Sequence, residues 1–192
     1  FVYVLMTISL LFGKTFRNII QEQHKASKYY LQDNEVIEEI RKMNPDYVSQ
    51  LAFLHHEGYP FYRNTGFSYH APCENGFDKM LEEIRKAEKY IFMEYFIVEE
   101  GEMWNSILSI LEEKVQQGVE VRVMYDDMGS LHTLPASYAR QLEKKGIKAV
   151  SFNRISPIIN TIMNHRDHRK ILVIDGKVAF TGGANLADEY IN

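Results

Sequence analysis

A single cysteine, Cys73, excludes an internal disulfide; it fits a reducing compartment, and the thiol itself reads as incidental. A basic excess is missing too. Against 26 Asp and Glu there are 22 Lys and Arg, a net charge of -4, so no nucleic-acid partner is expected. No apolar run reaches the about twenty residues that a membrane-spanning helix needs by itself. Thr181-Gly182-Gly183 lacks the Lys-Ser/Thr that closes a Walker-type loop. Internal repeats, low-complexity tracts and long linkers are absent. His55-His56 is the one histidine pair, but adjacent residues diverge on a helix and no matching ligand cluster exists, so no metal is expected.

What remains is an ordinary globular composition, 45% hydrophobic and 25% charged, with 192 residues to bury one sizeable core. The longest apolar run, FVYVLMTISLLF, comes first, from Phe1 to Phe12. Alone it suits a core helix or a signal-peptide remnant. Gly13-Lys14-Thr15-Phe16-Arg17 behind it, with Lys25 and Lys28, forms the aromatic and basic flank of a membrane exit. Residues 1–13 are therefore read as the end of a transmembrane helix, with the rest cytoplasmic by the positive-inside rule. The chain opens on Phe1 rather than Met and stops at Asn192 where a new helix is expected to start, so a piece of a longer protein is expected.

Residues 14–57 read as a juxtamembrane helical connector. Asn34 would cap a helix over Glu35 to Met43, Asn44-Pro45 would break it, and a second helix over Asp46 to His56 would bury Val48, Leu51 and Leu54. From 58 to 192 the pattern changes to alternating strands and helices. A short strand is expected near Gly66 to His70, a helix over Phe77 to Ala87, and a strand over Tyr90 to Ile97. The last is almost wholly apolar and therefore central in a sheet. Its one charge, Glu94, is either near a site or paired at a strand end. The amphipathic stretch Glu102 to Gln117 turns Trp104, Ile107, Ile110, Leu111 and Val115 inward. A strand over Val119 to Tyr125 ends in Asp126-Asp127-Met128-Gly129-Ser130. Carboxylates at such a strand end are where α/β folds place functional groups, although one of them can simply cap the turn. A helix over Pro135 to Lys145, a strand over Ile147 to Phe152 and a polar loop to Asn164 follow. The whole predicts an α/β sandwich whose mixed sheet is covered on both faces.

The chemistry is concentrated in the last thirty residues. Lys170 to Ile174 and Val178 to Thr181 are strand-like, and Asp175-Gly176 between them is a favoured type I′ turn. The expected register pairs Ile174 with Lys177, Lys170 with Thr181, and His168 with Gly183. His168 and Lys170 then share a face, Asn185 joins them if the pairing extends, and Gly183 leaves room for a ligand. Asp175 faces the other way. A His, a Lys and an Asn together suit phosphoryl transfer without a metal or cofactor. The imidazole attacks phosphorus, while the ammonium and amide hold the non-bridging oxygens.

The pattern His168-x-Lys170-x4-Asp175-x6-Gly182-Gly183-x-Asn185 resembles the HKD signature of the phospholipase D superfamily. The longer string from Asn164 through Ile174-Asp175-Gly176-Lys177 to Thr181-Gly182-Gly183-Ala184-Asn185-Leu186-Ala187-Asp188-Glu189-Tyr190 is similar to the first HKD motif of bacterial cardiolipin synthases. The resemblance implies a phospholipase D-like α/β/α sandwich and a catalytic set of His168, Lys170 and Asp175. It also implies phosphate binding through His168, Lys170, Asn185 and Gly183, with Glu94, Asp126, Asp127 and Glu189 as supporting candidates. It further implies phosphatidylglycerol as substrate, a membrane location, and a second HKD motif in a C-terminal half or a symmetric partner. Only one such motif is present, so residues 1–192 alone are expected to be nearly inactive. Two other readings stay open: a dimeric phosphodiesterase or nuclease of the same superfamily, and a non-catalytic docking half.

Overall fold

In YIFMEY, Tyr90–Tyr95, successive side chains point to opposite sides, and this makes strand β1. Ile91, Met93 and Tyr95 are buried, while Tyr90, Phe92 and Glu94 are half-buried on the other face. The structure is a computed structural model that describes residues 34–57, 59–63, 65–155 and 165–191. The proposed membrane segment and most of the loop before the His-Lys stretch lie outside them. Among the described residues no helix is long and apolar enough to cross a membrane. The chain divides into two units between Ser68 and Tyr69.

In the first unit, α1 spans Asn34–Met43 and α2 spans Val48–His56, with a 3-10 turn over Pro45–Tyr47 between them. Asn44 caps that turn by accepting from the Asp46 amide at 3.2 Å. Leu51 is buried as expected, but Leu54 is exposed. The strand expected near Gly66 to His70 is not formed. Phe67 and Tyr69 are exposed there, and the segment joins no ladder.

The second unit adds α3 (Glu74–Arg85), α4 (Glu102–Gln116), β2 (Glu120–Asp126), α5 (Tyr138–Lys144), β3 (Lys148–Phe152), β4 (Lys170–Ile174) and β5 (Val178–Thr181). The strands form one mixed sheet in the order β3-β2-β1-β4-β5, with β1 central as its composition predicts. β1, β2 and β3 run parallel, and β4 and β5 are antiparallel to their neighbours. Trp104, Ile107 and Leu111 of α4, Ile84 of α3 and Leu142 of α5 share one core with Ile91, Met93, Val121, Val123 and Leu172. Helices α3, α4 and α5 of this unit thus share one face of the sheet. On the other, Phe92, Met124, Ile171 and Val173 are half-buried, with the Arg122 guanidinium 4.8 Å from the Phe92 ring centre.

The hairpin forms with the expected strand limits but a different register. Asp175 and Gly176 both adopt positive φ, at 54° and 67°, and the Lys177 amide donates to the Ile174 carbonyl. Lys177 is nevertheless left over, so Ile174 pairs with Val178 and Ile171 with Thr181. This one-residue slip turns β5 over relative to the expected pairing. Thr181 faces away from Lys170, and the ladder stops before Gly183.

Asp175 has a clear structural task. Its carboxylate accepts from the amides of Glu88, Lys89 and Tyr90 at 2.9, 2.8 and 2.8 Å, fastening the hairpin turn to the start of β1. Burial pushes this carboxyl up, but the three amides outweigh it and leave it below the usual Asp range. A carboxyl lowered by folding stabilises above its unfolded pKa, and that contribution is lost as pH falls through the folded value. Asp175→Asn should therefore cost about 1–2 kcal/mol at neutral pH, the scale of a lost charge-assisted hydrogen bond. Chemical denaturation should find that difference shrinking in acid, towards and below the ordinary Asp range.

Candidate active site

β1 ends two residues earlier than its apolar run suggests, because the next backbone groups are taken by other partners. The Ile97 amide donates to Asn185 Oδ1 at 3.2 Å, the Val98 amide donates to Ser130 Oγ at 3.1 Å, and the Ser130 hydroxyl donates to the Phe96 carbonyl at 3.4 Å. The Leu186 amide donates to the Ile97 carbonyl, and the Glu99 amide to the Leu186 carbonyl. Gly129 fits this junction only because it lacks a side chain. A Cβ there would lie 2.2 Å from the Phe96 carbonyl oxygen. Four segments of chain thus meet at one rim: the ends of β1 and β2, the approach to β4, and the stretch after β5.

Phe96 is where the His and the Lys come together. Its ring centre lies 4.7 Å from the imidazole of His168 and 5.3 Å from Lys170 Nζ. His168 is exposed, whereas Lys170 and Asn185 are each 5% exposed. Lys170 Nζ donates to the His168 carbonyl at 2.8 Å, leaving other donor positions of the ammonium for an anion. Burial pulls this ammonium below the ordinary lysine range, an effect the Asp167 charge partly offsets. The Asn185 amide oxygen holds Ile97, and its nitrogen donates to Tyr190 Oη at 2.9 Å. Asn185 reaches this rim through Ile97 and Leu186, not through the extended hairpin of the expected register.

The paired carboxylates after β2 split their work. Asp126 is wholly buried. Its Oδ1 accepts from the Met128 and Gly129 amides and from Arg166 Nη1 at 3.1 Å, and its Oδ2 accepts from the Asp167 amide at 2.9 Å. Asp127 accepts from the Ser151 hydroxyl and from the Ile155 amide. Both brace loops. Glu94 and Asp167 instead meet at Arg169 Nε, at 2.6 and 2.9 Å. Burial first, then hydrogen bonding to Asp167 and its charge, push the Glu94 carboxyl up to about 7. Burial also raises Asp167, but bonding to Glu94 and Arg169 brings it below its ordinary value.

The remaining expected residues are scattered. Asp175 lies at the far end of β4 from Lys170, Gly183 has open space about it, and Glu189 is exposed. Arg166 and Asp167 were not singled out from sequence, because they acquire their roles only through Asp126, forty residues earlier. No group of residues suited to a metal occurs among the described residues. Asp126→Ala should cost about 3–5 kcal/mol in denaturant unfolding, because it strands a half-buried guanidinium and three amides.

Residues 80–192 match the family model described as cardiolipin synthase, PLD-like domain. An uncharacterized protein of Streptococcus mutans is 48% identical over 98% of the chain, which spans 43% of that protein. A cardiolipin synthase of Oceanobacillus iheyensis is 37% identical over 77% of the chain and 31% of its own length. One of Staphylococcus aureus is 44% identical over 60% of the chain and 23% of its own length. The chain thus spans less than half the length of these relatives. With more than half of its residues inside the family match, this chain belongs to the phospholipase D-like domain family of cardiolipin synthases.

Proposed function

We propose that this chain carries the nucleophilic half of a cardiolipin synthase site. His168 attacks the phosphorus of phosphatidylglycerol, a P–N bond forms, and the glycerol oxygen leaves with the electron pair of the broken P–O bond. The hydroxyl of a second phosphatidylglycerol then attacks the phosphatidyl-histidine, releases cardiolipin and frees the imidazole. Lys170 and Asn185, with Gly183 leaving space, hold the phosphate oxygens, whose charge grows in the transition state. Asp175 acts at a distance by fastening β4 to β1. Asp126, Asp127 and Glu189 do not touch substrate in this reading.

The observation that supports it is the buried Lys170 ammonium beside an exposed imidazole, with one backbone carbonyl as its hydrogen-bond acceptor. The leaving alkoxide needs a proton, and the displaced glycerol takes it from a second histidine in the C-terminal half or in a symmetric partner, which then accepts the proton of the attacking hydroxyl as the P–N bond breaks. Residues 1–13 anchor the protein in the bacterial inner membrane with this unit on the cytoplasmic side. No metal or cofactor enters the reaction.

The test uses the full-length protein in phosphatidylglycerol vesicles, reading cardiolipin and glycerol together. His168→Asn should lower turnover about 10³-fold or more, and Lys170→Ala about 10²-fold. Acid quenching of the wild type should trap a phosphatidyl adduct on His168. Full turnover by the asparagine variant, or by residues 1–192 alone as a monomer, would refute the reading.

A further inference from the structure

The His168 imidazole makes no side-chain hydrogen bond among the described residues, and the Phe96 ring is its recorded side-chain neighbour. Its position is therefore set by what grips the residues on either side. The Asp167 amide is held by Asp126. Arg169 donates its amide to Asp167 Oδ1 at 3.4 Å and its Nε to the same oxygen at 2.9 Å, while Glu94 Oε1 approaches that Nε to 2.6 Å. Glu94 belongs to the central strand, where its ladder partners are Met124 and Ile171, both apolar. Like Asp126 at the end of β2, it is a carboxyl mounted on a strand that reaches across to the chain carrying the nucleophile.

We propose that Glu94 is a positioning residue for His168, clasping Arg169 together with Asp167 so that the backbone on both sides of the imidazole is fixed to β1. The inference rests on His168 being the nucleophile.

Charge makes the clasp depend on a proton. The groups facing Glu94 are Asp167 and Arg169 from the approach to β4. Asp126, at the end of β2, and Arg166, on the approach to β4, pair with one another at 3.1 Å, and Lys170 belongs to the opposite sheet face. Two carboxylates therefore share one guanidinium, with side chains only 20% and 4% exposed. Asp167 Oδ2 is buried without a hydrogen-bond partner and is the acceptor available to a proton on Glu94. With that proton in place the clasp closes as acid, carboxylate and guanidinium. Without it two negative charges oppose each other in a poorly solvated space and the grip on Arg169 loosens. Since the Glu94 carboxyl stands at about 7, the change falls within the neutral range.

The experiment compares wild type, Glu94→Gln and Glu94→Ala in the full-length protein on phosphatidylglycerol vesicles, across pH 6 to 9. Wild-type kcat should fall on the alkaline side with an inflection near the Glu94 value. Glu94→Gln, whose amide can donate at every pH, should lose that limb. Glu94→Ala should lower kcat about tenfold to a hundredfold with KM little changed, the scale of a misplaced reacting group. Independently of activity, the ring resonance of ¹³C-labelled His168, assigned by its loss in His168→Asn, should show a Glu94-dependent inflection absent from Glu94→Gln. An alkaline limb unchanged in Glu94→Gln, or a resonance blind to Glu94, overturns the proposal. Undiminished transfer by His168→Asn overturns the functional reading instead, and the resonance still reports on the clasp.

Discussion

The buried carboxylate of Asp126 is the constraint on which the rim depends. It sits at the C-terminal end of β2 yet binds four donors from two distant parts of the chain: two amides of its own turn, the Arg166 guanidinium and the Asp167 amide. Buried charge is tolerable only when its lone pairs are filled, so this residue forces the approach to β4 into one path. His168 and Lys170 then follow at fixed places. The turn it shapes also presents Gly129 and Ser130 to the last residues of β1, where Phe96 backs both groups.

Much of the fold was legible because it rests on local patterns. The apolar run at Tyr90–Tyr95, the amphipathic spacing of Glu102–Gln116 and the Asp-Gly turn each reflect contacts that a short window of sequence contains. The register of the hairpin was not legible. Both turn residues adopt the positive φ that a two-residue turn asks for, but Lys177 is accommodated as an extra residue, and nothing in the string distinguishes a bulged return strand from a regular one. The strand expected before α3 failed for a similar reason, since extended residues become a strand only when a neighbour offers a ladder.

The candidate site was half legible. His168, Lys170 and Asn185 stand out as residue types in a pattern, and they do gather around Phe96 and Ile97. The route by which Asn185 arrives was not visible, because it depends on Leu186 pairing beside Val98 across a long interval of sequence. Asp175 shows the converse. Its place in the motif suggested chemistry, while its three amide contacts make it the fastening of the opposite end of β1. Glu94 lay between: a lone acid in an apolar strand has to be compensated, but only the folded chain shows that Asp167 and Arg169 do so.

The close approach of Gly129 to Phe96 has a mechanical consequence. A carbonyl occupies the volume that a methyl group would need, so two loops some thirty residues apart in sequence touch with no tolerance between them. Such a seam behaves as a hard stop: pressure on the turn after β2 displaces the aromatic floor beneath the imidazole instead of being absorbed by softer side chains on the way.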